Sequence, residues 1–584
     1  MKLKNIIVLA ACFGALASCN VTDISPIDSL TDKSYWKTVN DLKLYANGFY
    51  GNLSAPAVDK ENASDNFVPT NYSQWLFNEV TVASGSGGWS WGNVRNINYF
   101  MKRYHTVSGS EADINMYVGE MRFFRALDYY GKIKTFGDVP WYQEDLTTAD
   151  TEELYKGRDP RDTILTRVIE DLEFAAKWLP EAGMEEKGRL TKDVALQQLA
   201  RVCLYYGTYK KYHEEPQTGA LTSEALLKKA ISATDAIMAT GKYDIVKGSD
   251  QGASQQPFEG YPLYYSNQFT QEDLTGNKEG VLIRYYEPGV LTHETGRRAG
   301  ESGNGLTKDF AESFLCKDGL PIANSPLYKG DETLEAEFEN RDPRMYQIID
   351  NKHRPYRINS GVVYVNPVPS CEATKGVTGY PCVKFRSADP KQEEARNSSY
   401  DWFAYRYAEV LLINAEAHAE LGTCTQDVLD KTINKLRDRV EMPHMTVNPV
   451  ADAKPVNYGY DISNLLYEIR RERRIELVAE GFRWDDLIRW NAMKLVENPK
   501  TMFGIRITPE VEEEYKQANI TFGGENGRSV AEYEGKTYLY QYSDKALNDP
   551  GRVWTKNDKR WLSPLPVSQL TLNKNLKQNP GWDK

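Results

Sequence analysis

The chain has 584 residues, 41% of them hydrophobic and 26% charged, with a formal net charge of −11. Such a mixture is that of a folded soluble body of one large or several ordinary domains, and no Pro/Gly/Ser-rich linker divides it. The negative balance disfavours a surface that tracks phosphates, so nucleic acid is not an expected partner.

The first element is an export signal. Lys2 and Lys4 form a short positive region ahead of the apolar run "NIIVLAACFGALA", which is too short to span a bilayer comfortably. Leu16, Ala17 and Ser18 then precede Cys19 in the order of a bacterial lipobox, although Cys12 shows that cysteine also occurs in this run idly. Residues 1–18 are therefore read as a lipoprotein signal peptide and Cys19 as the lipidated mature N-terminus. Several acyl chains at about 0.8 kcal/mol per buried CH₂ anchor a protein without any transmembrane helix. Loss of the two lysines with the signal makes the net charge −13.

Helical periodicity dominates the next part. In "TILTRVIEDLEFAAKWLP" the apolar residues Ile164, Leu165, Val168, Ile169, Leu172, Ala175, Ala176 and Leu179 recur on one face. In "TKDVALQQLARVCLYYGTY" Ala195, Leu196, Leu199, Ala200, Cys203 and Leu204 do the same, and in "SEALLKKAISATDAIMATG" Leu226, Leu227, Ala230, Ile231, Ile237 and Met238 do. These segments begin about 30 residues apart, the spacing of stacked helix-turn-helix units. Residues 243–400 are rich in Gly, Tyr and Asn, with short extended candidates in "EGVLIRYY" and "GVVYVNPV". A second helical set follows in "FAYRYAEVLLINAEAHAELG", "TQDVLDKTINKLRDRV" and "ISNLLYEIRRERRIELVAEG". The tail lacks helical period, but Trp561 and Trp582 mark it as a packed irregular segment rather than a free end. The expected division is a helical scaffold over about 40–242 and 401–496, a variable region over about 243–400 and an irregular C-terminal segment, 497–584.

Charges recur on the second helical set. Arg406, Glu409 and Glu416 share a stripe, as do Arg473, Glu476 and Glu480, and Arg483, Asp485, Asp486 and Arg489 follow. A carboxylate pair of this kind is also what a glycosidase uses as acid and base. Here arginines accompany the carboxylates, which lowers a carboxyl pKa, the wrong direction for a general acid; interhelical ion pairs are the expectation. The six histidines never fall at metal-site spacing, and C-x-x-C, H-E-x-x-H, G-x-S-x-G and Gly-rich phosphate-loop patterns are absent, so neither catalytic residues nor a cofactor are expected.

Beyond Cys12 and Cys19 there are five cysteines, an odd number that precludes a complete disulfide framework. Cys371 and Cys382 are the pair able to close a loop, and Cys203 reads as a small buried hydrophobe. The 37 Tyr and 12 Trp offer flat apolar faces with hydrogen-bonding edges, which suit sugar recognition as well as a large core.

Several longer motifs recur in order: "DISPIDSLTDKSYWKTVNDLKLYANGFY", "GEMRFFRALDYYGKIKTFGDVPWY", "GRLTKDVALQQLARVCLYYG", "ENRDPRM", "RYAEVLLINAEAHAELG", "IRRERRIELVAEGFRWDDLIRW" and the closing "QNPGW". Together they resemble the SusD/RagB family of outer-membrane lipoproteins of Bacteroidetes, from the lipobox to the last residues. The resemblance implies a mainly α fold, a TPR-like helical-pair scaffold carrying a long irregular, loop-rich variable region. It also implies a non-catalytic cell-surface protein that captures oligosaccharide and passes it to a SusC-like TonB-dependent transporter, held to the outer membrane by its N-terminal lipid. Peptide capture, as in RagB-like members, is the alternative within the family, and a lipid-anchored glycoside hydrolase is the alternative outside it.

The local candidate for ligand contact is "SGSGGWSWGNVRNINYF". Glycan-binding relatives use tryptophans at a similar place as stacking platforms, which points to Trp89 and Trp91, with Asn93 and Arg95 as hydrogen-bonding neighbours. The competing reading makes one of the two tryptophans a core plug. Asp65 and Asn66 in "ASDNFVP", and Tyr286, His293 and Arg297 in "YYEPGVLTHETGRR", complete the candidate set. No calcium-loop pattern is evident, and the identity of any bound ion is left open.

Overall fold

The computed structural model describes residues 35–247 and 261–583; the signal segment and Cys19 lie outside the described residues. The first helical set comprises α1 (Val39–Asn47), α2 (Gly92–Arg103), α3 (Glu111–Phe136), α4 (Arg161–Trp178), α5 (Lys192–Tyr212) and α6 (Ser223–Ala239). The second comprises α7 (Tyr407–Glu420), α8 (Gln426–Lys431), α9 (Ile433–Arg439), α10 (Asn464–Glu476) and α11 (Arg483–Arg489). In this mainly helical fold α3 packs on α4, α4 on α5, α5 on α6 and α6 on α7.

Local chemistry starts these helices where the sequence places them. Ser110, Thr191 and Thr222 each occupy an N-cap, with the side-chain oxygen accepting a backbone N–H of the first turn. α4, α5 and α6 begin at Arg161, Lys192 and Ser223, 31 residues apart each time. The apolar stripe of α4 is buried throughout, while Leu196, Ile231 and Met238 sit at its margin on α5 and α6. α5 and α6 approach closely at Gly207, where a Cβ would come within 2.9 Å of Leu227 Cγ. Cys203 is fully buried, and burial pushes its thiol up to about 12.

Short strands lie between and after the helices: β1 (Phe67–Pro69), β2 (Gly280–Arg284), β3 (Asn304–Leu306), β4 (Arg357–Asn359), β5 (Val362–Tyr364), β6 (Trp402–Arg406), β7 (Phe503–Ile507), β8 (Val530–Tyr533) and β9 (Lys536–Tyr540). β1 pairs antiparallel with β3, β2 with β6, and β4 with β5 as a hairpin. The tail departs from expectation. β7, β9 and β8 form an antiparallel three-stranded sheet within the segment read as irregular. Strands this short carry too little alternation to stand out from loop sequence. Trp582 is buried, and its Nε1 donates to the carbonyls of Lys559 and Leu562, so the C-terminus is packed as expected. Cys371 and Cys382 are free thiols, as are Cys203, Cys316 and Cys424, so the loop between 371 and 382 is not closed by a disulfide.

The charged stripes are ion pairs, but mostly between elements rather than along one helix. Arg406 ends strand β6 instead of lying on α7. Its guanidinium reaches Glu279 at 2.6 Å, Glu476 at 2.7 Å and Glu480 at 2.5 Å. Glu476 also meets Arg439 and, at 3.2 Å, Arg344. Glu416 holds Arg489 at 2.6 Å and accepts Trp490 Nε1 at 2.7 Å; Glu409 binds Arg201 at 2.6 Å.

Burial alone would raise the carboxyls of Glu416, Glu476 and Glu480, but the surrounding guanidinium groups outweigh it and hold all three low, Glu416 at about 2. Their folded pKa values lie below the unfolded value of about 4.3, so the stabilisation is full above about pH 5 and is lost as pH falls towards about 2. The urea midpoint is expected to drop steeply across that window. A flat midpoint there would show that these pairs do not carry the fold.

Candidate functional site

The glycine-rich loop before α2 folds back on the C-terminal segment. Ala83 O accepts from Val567 N at 3.0 Å, Gly85 O accepts from Ser568 Oγ at 3.1 Å, and Gly87, at φ 50°, leaves its missing Cβ space to Pro566. The turn closes when Trp89 N donates to Ser86 O.

The two tryptophans then part. Trp89 is 7% exposed and belongs to the core, its ring edge-on to Phe136 at 5.0 Å. Trp91 is the N-cap residue of α2 and is half-buried. Its ring meets Tyr142 edge-on at 5.1 Å, with Lys132 Nζ 5.0 Å from the ring centre. Trp89 is thus the core plug, which removes it as a stacking platform.

Beside them lies a cleft of about 400 Å³ between the loop and α3. Phe124, Leu127 and Phe136 give it an apolar floor; Asn52, Asn93, Asp128, Lys132 and Thr135 supply the polar wall, and Gly88 closes one side. Asp128 and Lys132 pair at 2.8 Å, one turn apart on α3. Asn93 Nδ2 stands 3.5 Å from Asn52 Oδ1 and 3.4 Å from Asp128 Oδ1, contacts long enough to exchange for a better partner. Such a wall offers donors and acceptors together, which is what hydroxyl groups require, above a floor suited to C–H surfaces.

The other sequence candidates are elsewhere. Arg95 is exposed on α2 and does not line the cleft. Asp65 is 1% exposed and accepts from Nε and Nη2 of Arg483, each at 2.7 Å; burial would raise its carboxyl, but Arg474 and Arg483 hold it at about 2. Asn66 donates to Glu61 at 2.8 Å and accepts from Arg474 at 2.8 Å. Both are structural, committed to buried partners. Tyr286 is buried against the edge of His293. Burial lowers His293 to about 4, and the neutral ring spans Tyr400 O at 3.0 Å and Thr295 N at 3.2 Å. Arg297 is exposed and pairs with Glu294 at 2.9 Å. None of these lines the cleft, and Trp91 itself borders it through Lys132 rather than lining it. No local pattern marks Asn52, and Asp128 and Lys132 show in the sequence only as an oppositely charged pair four residues apart in "RALDYYGKIK".

Among the described residues no group of three or more His, Cys, Asp or Glu is arranged to hold a metal, and no helix is long and apolar enough to cross a membrane.

Residues 235–582 match the SusD family, and residues 28–204 match a family described as starch-binding associating with outer membrane. The chain belongs to the SusD family. A SusD-like protein of Formosa agariphila is 25% identical over 524 residues, 85% of this chain and 94% of its own. A SusD-like carbohydrate binding protein from Bacteroides fragilis has the same fold, with a TM-score of 0.66 at 22% identity over 93% of this chain and all of its own. A chain crystallised with xylogluco-oligosaccharide superposes with a TM-score of 0.59 at 18% identity, covering 91% of this chain and 97% of its own.

Replacing Trp89 by alanine should lower stability by about 3–5 kcal/mol, the cost of emptying a packed core site. Trp91→Ala should cost roughly 1 kcal/mol. Urea denaturation of the two variants checks this; equal losses would contradict the division of roles.

Proposed function

We propose that the protein captures oligosaccharide at the cell surface without cleaving it and passes it to a SusC-like TonB-dependent transporter in the outer membrane, tethered by lipid on Cys19. The observation that carries the binding reading is the cleft beside α3, where Asn93, Asp128 and Lys132 stand over an apolar floor with Trp91 alongside. Membership of the SusD family supports the surface location and the delivery step.

Hydrolysis finds little support in the cleft. A glycosidase needs two carboxyl groups facing each other across the bond to be broken. Among the described residues lining the cleft Asp128 is the one carboxylate, and Lys132 neutralises it.

Calorimetry with residues 20–584 against glycans selected on an array tests the site. Asn93→Ala and Trp91→Ala are each expected to weaken binding about tenfold, ~1.4 kcal/mol, with no release of reducing ends. Unchanged affinity in both variants would remove this cleft as the binding site. Cys19→Ser is expected to move the protein from the membrane fraction to the soluble one, because the remaining chain supplies no spanning helix among its described residues. Retention in the membrane fraction would refute the lipid anchor.

A further inference from the structure

A second cavity, of about 250 Å³, lies on the other side of α3. Its wall combines Tyr130 and Lys134 of α3, Gln198 and Arg201 of α5, Arg473 of α10, and Phe482 and Asp485 beyond α10. The two cavities share Leu127 and Gly131 as wall residues. They also share a loop, since Asn52 lines the first and Ser54 the second. Leu127 and Gly131, about one turn apart, form the divide; Asp128, Lys132 and Thr135 fall to one side, Tyr130 and Lys134 to the other.

Gly131 is the low point of that divide. It sits inside a 26-residue helix, where glycine is less favourable than alanine, and a Cβ built there would meet no atom within 4 Å. Neither packing nor backbone conformation calls for glycine at this position. A side chain there would stand in open space between the two cavities whose walls Gly131 shares.

Two residues of that wall also carry a buried donor nitrogen with no protein acceptor. Gln198 is fully buried, and its Oε1 accepts from Tyr405 at 2.8 Å and Arg201 at 3.2 Å, yet its Nε2 is unpartnered. Arg473 is 4% exposed and binds Asp486 through Nε, but its Nη1 is likewise unpartnered. Buried polar groups are rarely left in this state, and a hydroxyl oxygen brought against this wall with a small side-chain shift would give the two donors an acceptor. The charges of the wall balance: Lys134, Arg201, Arg473 and Arg489 against Glu409, Glu480, Asp485 and Asp486. A balanced wall with the rings of Tyr130, Tyr205 and Phe482 suits a neutral polyhydroxyl compound better than an ion.

We propose that the two cavities are one trough, in which a single neutral oligosaccharide lies across α3 at Gly131 with one end at Asn93 and the other at Gln198 and Arg473. This rests on the oligosaccharide-binding reading of the first cleft and extends it to a second subsite. Longer chains therefore bind more tightly than single sugars, because only they reach both halves.

The test compares wild type, Gly131→Ala, Gly131→Leu and Asn93→Ala on an array of malto-, cello-, xylo- and xylogluco-oligosaccharides graded in length, with a random peptide library beside it. Thermal denaturation of the two Gly131 variants should show a midpoint equal to or above wild type. Gly131→Leu is expected to weaken the longest bound glycan at least tenfold more than the shortest, and Gly131→Ala to show a smaller difference of the same kind. Asn93→Ala should weaken both lengths. Equal binding of long chains by wild type and Gly131→Leu would overturn the trough and leave the first cleft standing. Binding of peptides and no glycan by wild type would overturn the underlying reading and the trough with it.

Discussion

Seven of the thirteen residues of α10 carry a charge, and all seven are buried. Taking a charged side chain out of water costs several kcal/mol per ion unless partners replace the lost hydration. α10 supplies few of those partners itself. Asp65 comes from the first part of the chain, Asp309 and Arg344 from the central region, Arg439 from α9 and Asp486 from α11. Each arrival must be in register, since a guanidinium one turn out of place leaves a buried charge exposed to apolar surroundings. The irregular region is thereby fastened to the helical scaffold at specific points, although it has little regular structure of its own.

α3 is the second organising element. Its long apolar face packs on α4 and also supports Trp89 through Phe136. Residues on its remaining faces are left for the cleft and the polar cavity. A helix held along its whole length is a rigid mount, so Asp128 and Lys132 keep their positions without help from a ligand. The glycine-rich loop opposite is fixed by the C-terminal segment through Ala83 and Gly85, which explains why a tail with no helical signal is nonetheless packed.

The candidate site was half legible. The segment around Trp91 and Asn93 stands out by residue type and position, because aromatic and amide side chains behind a glycine-rich turn are a local signal. Which tryptophan faces inward was not legible, since it depends on Phe136 arriving from another helix. Asp65 and His293 misled for the same reason. Their chemistry suits a binding site, but Arg483 and Tyr400, far away in sequence, consume it.

Chain order alone determined the starts and buried faces of α4 to α6, the mixing of arginines with the acidic residues of the second helical set and the family, because caps, periodicity and motifs are written within a few turns of backbone. Tertiary structure alone decided that Glu279 joins Arg406 and Glu476, that β7 to β9 form a sheet, and that two cavities meet at Gly131. Those outcomes depend on which distant surfaces exclude water from one another, and no local pattern records that.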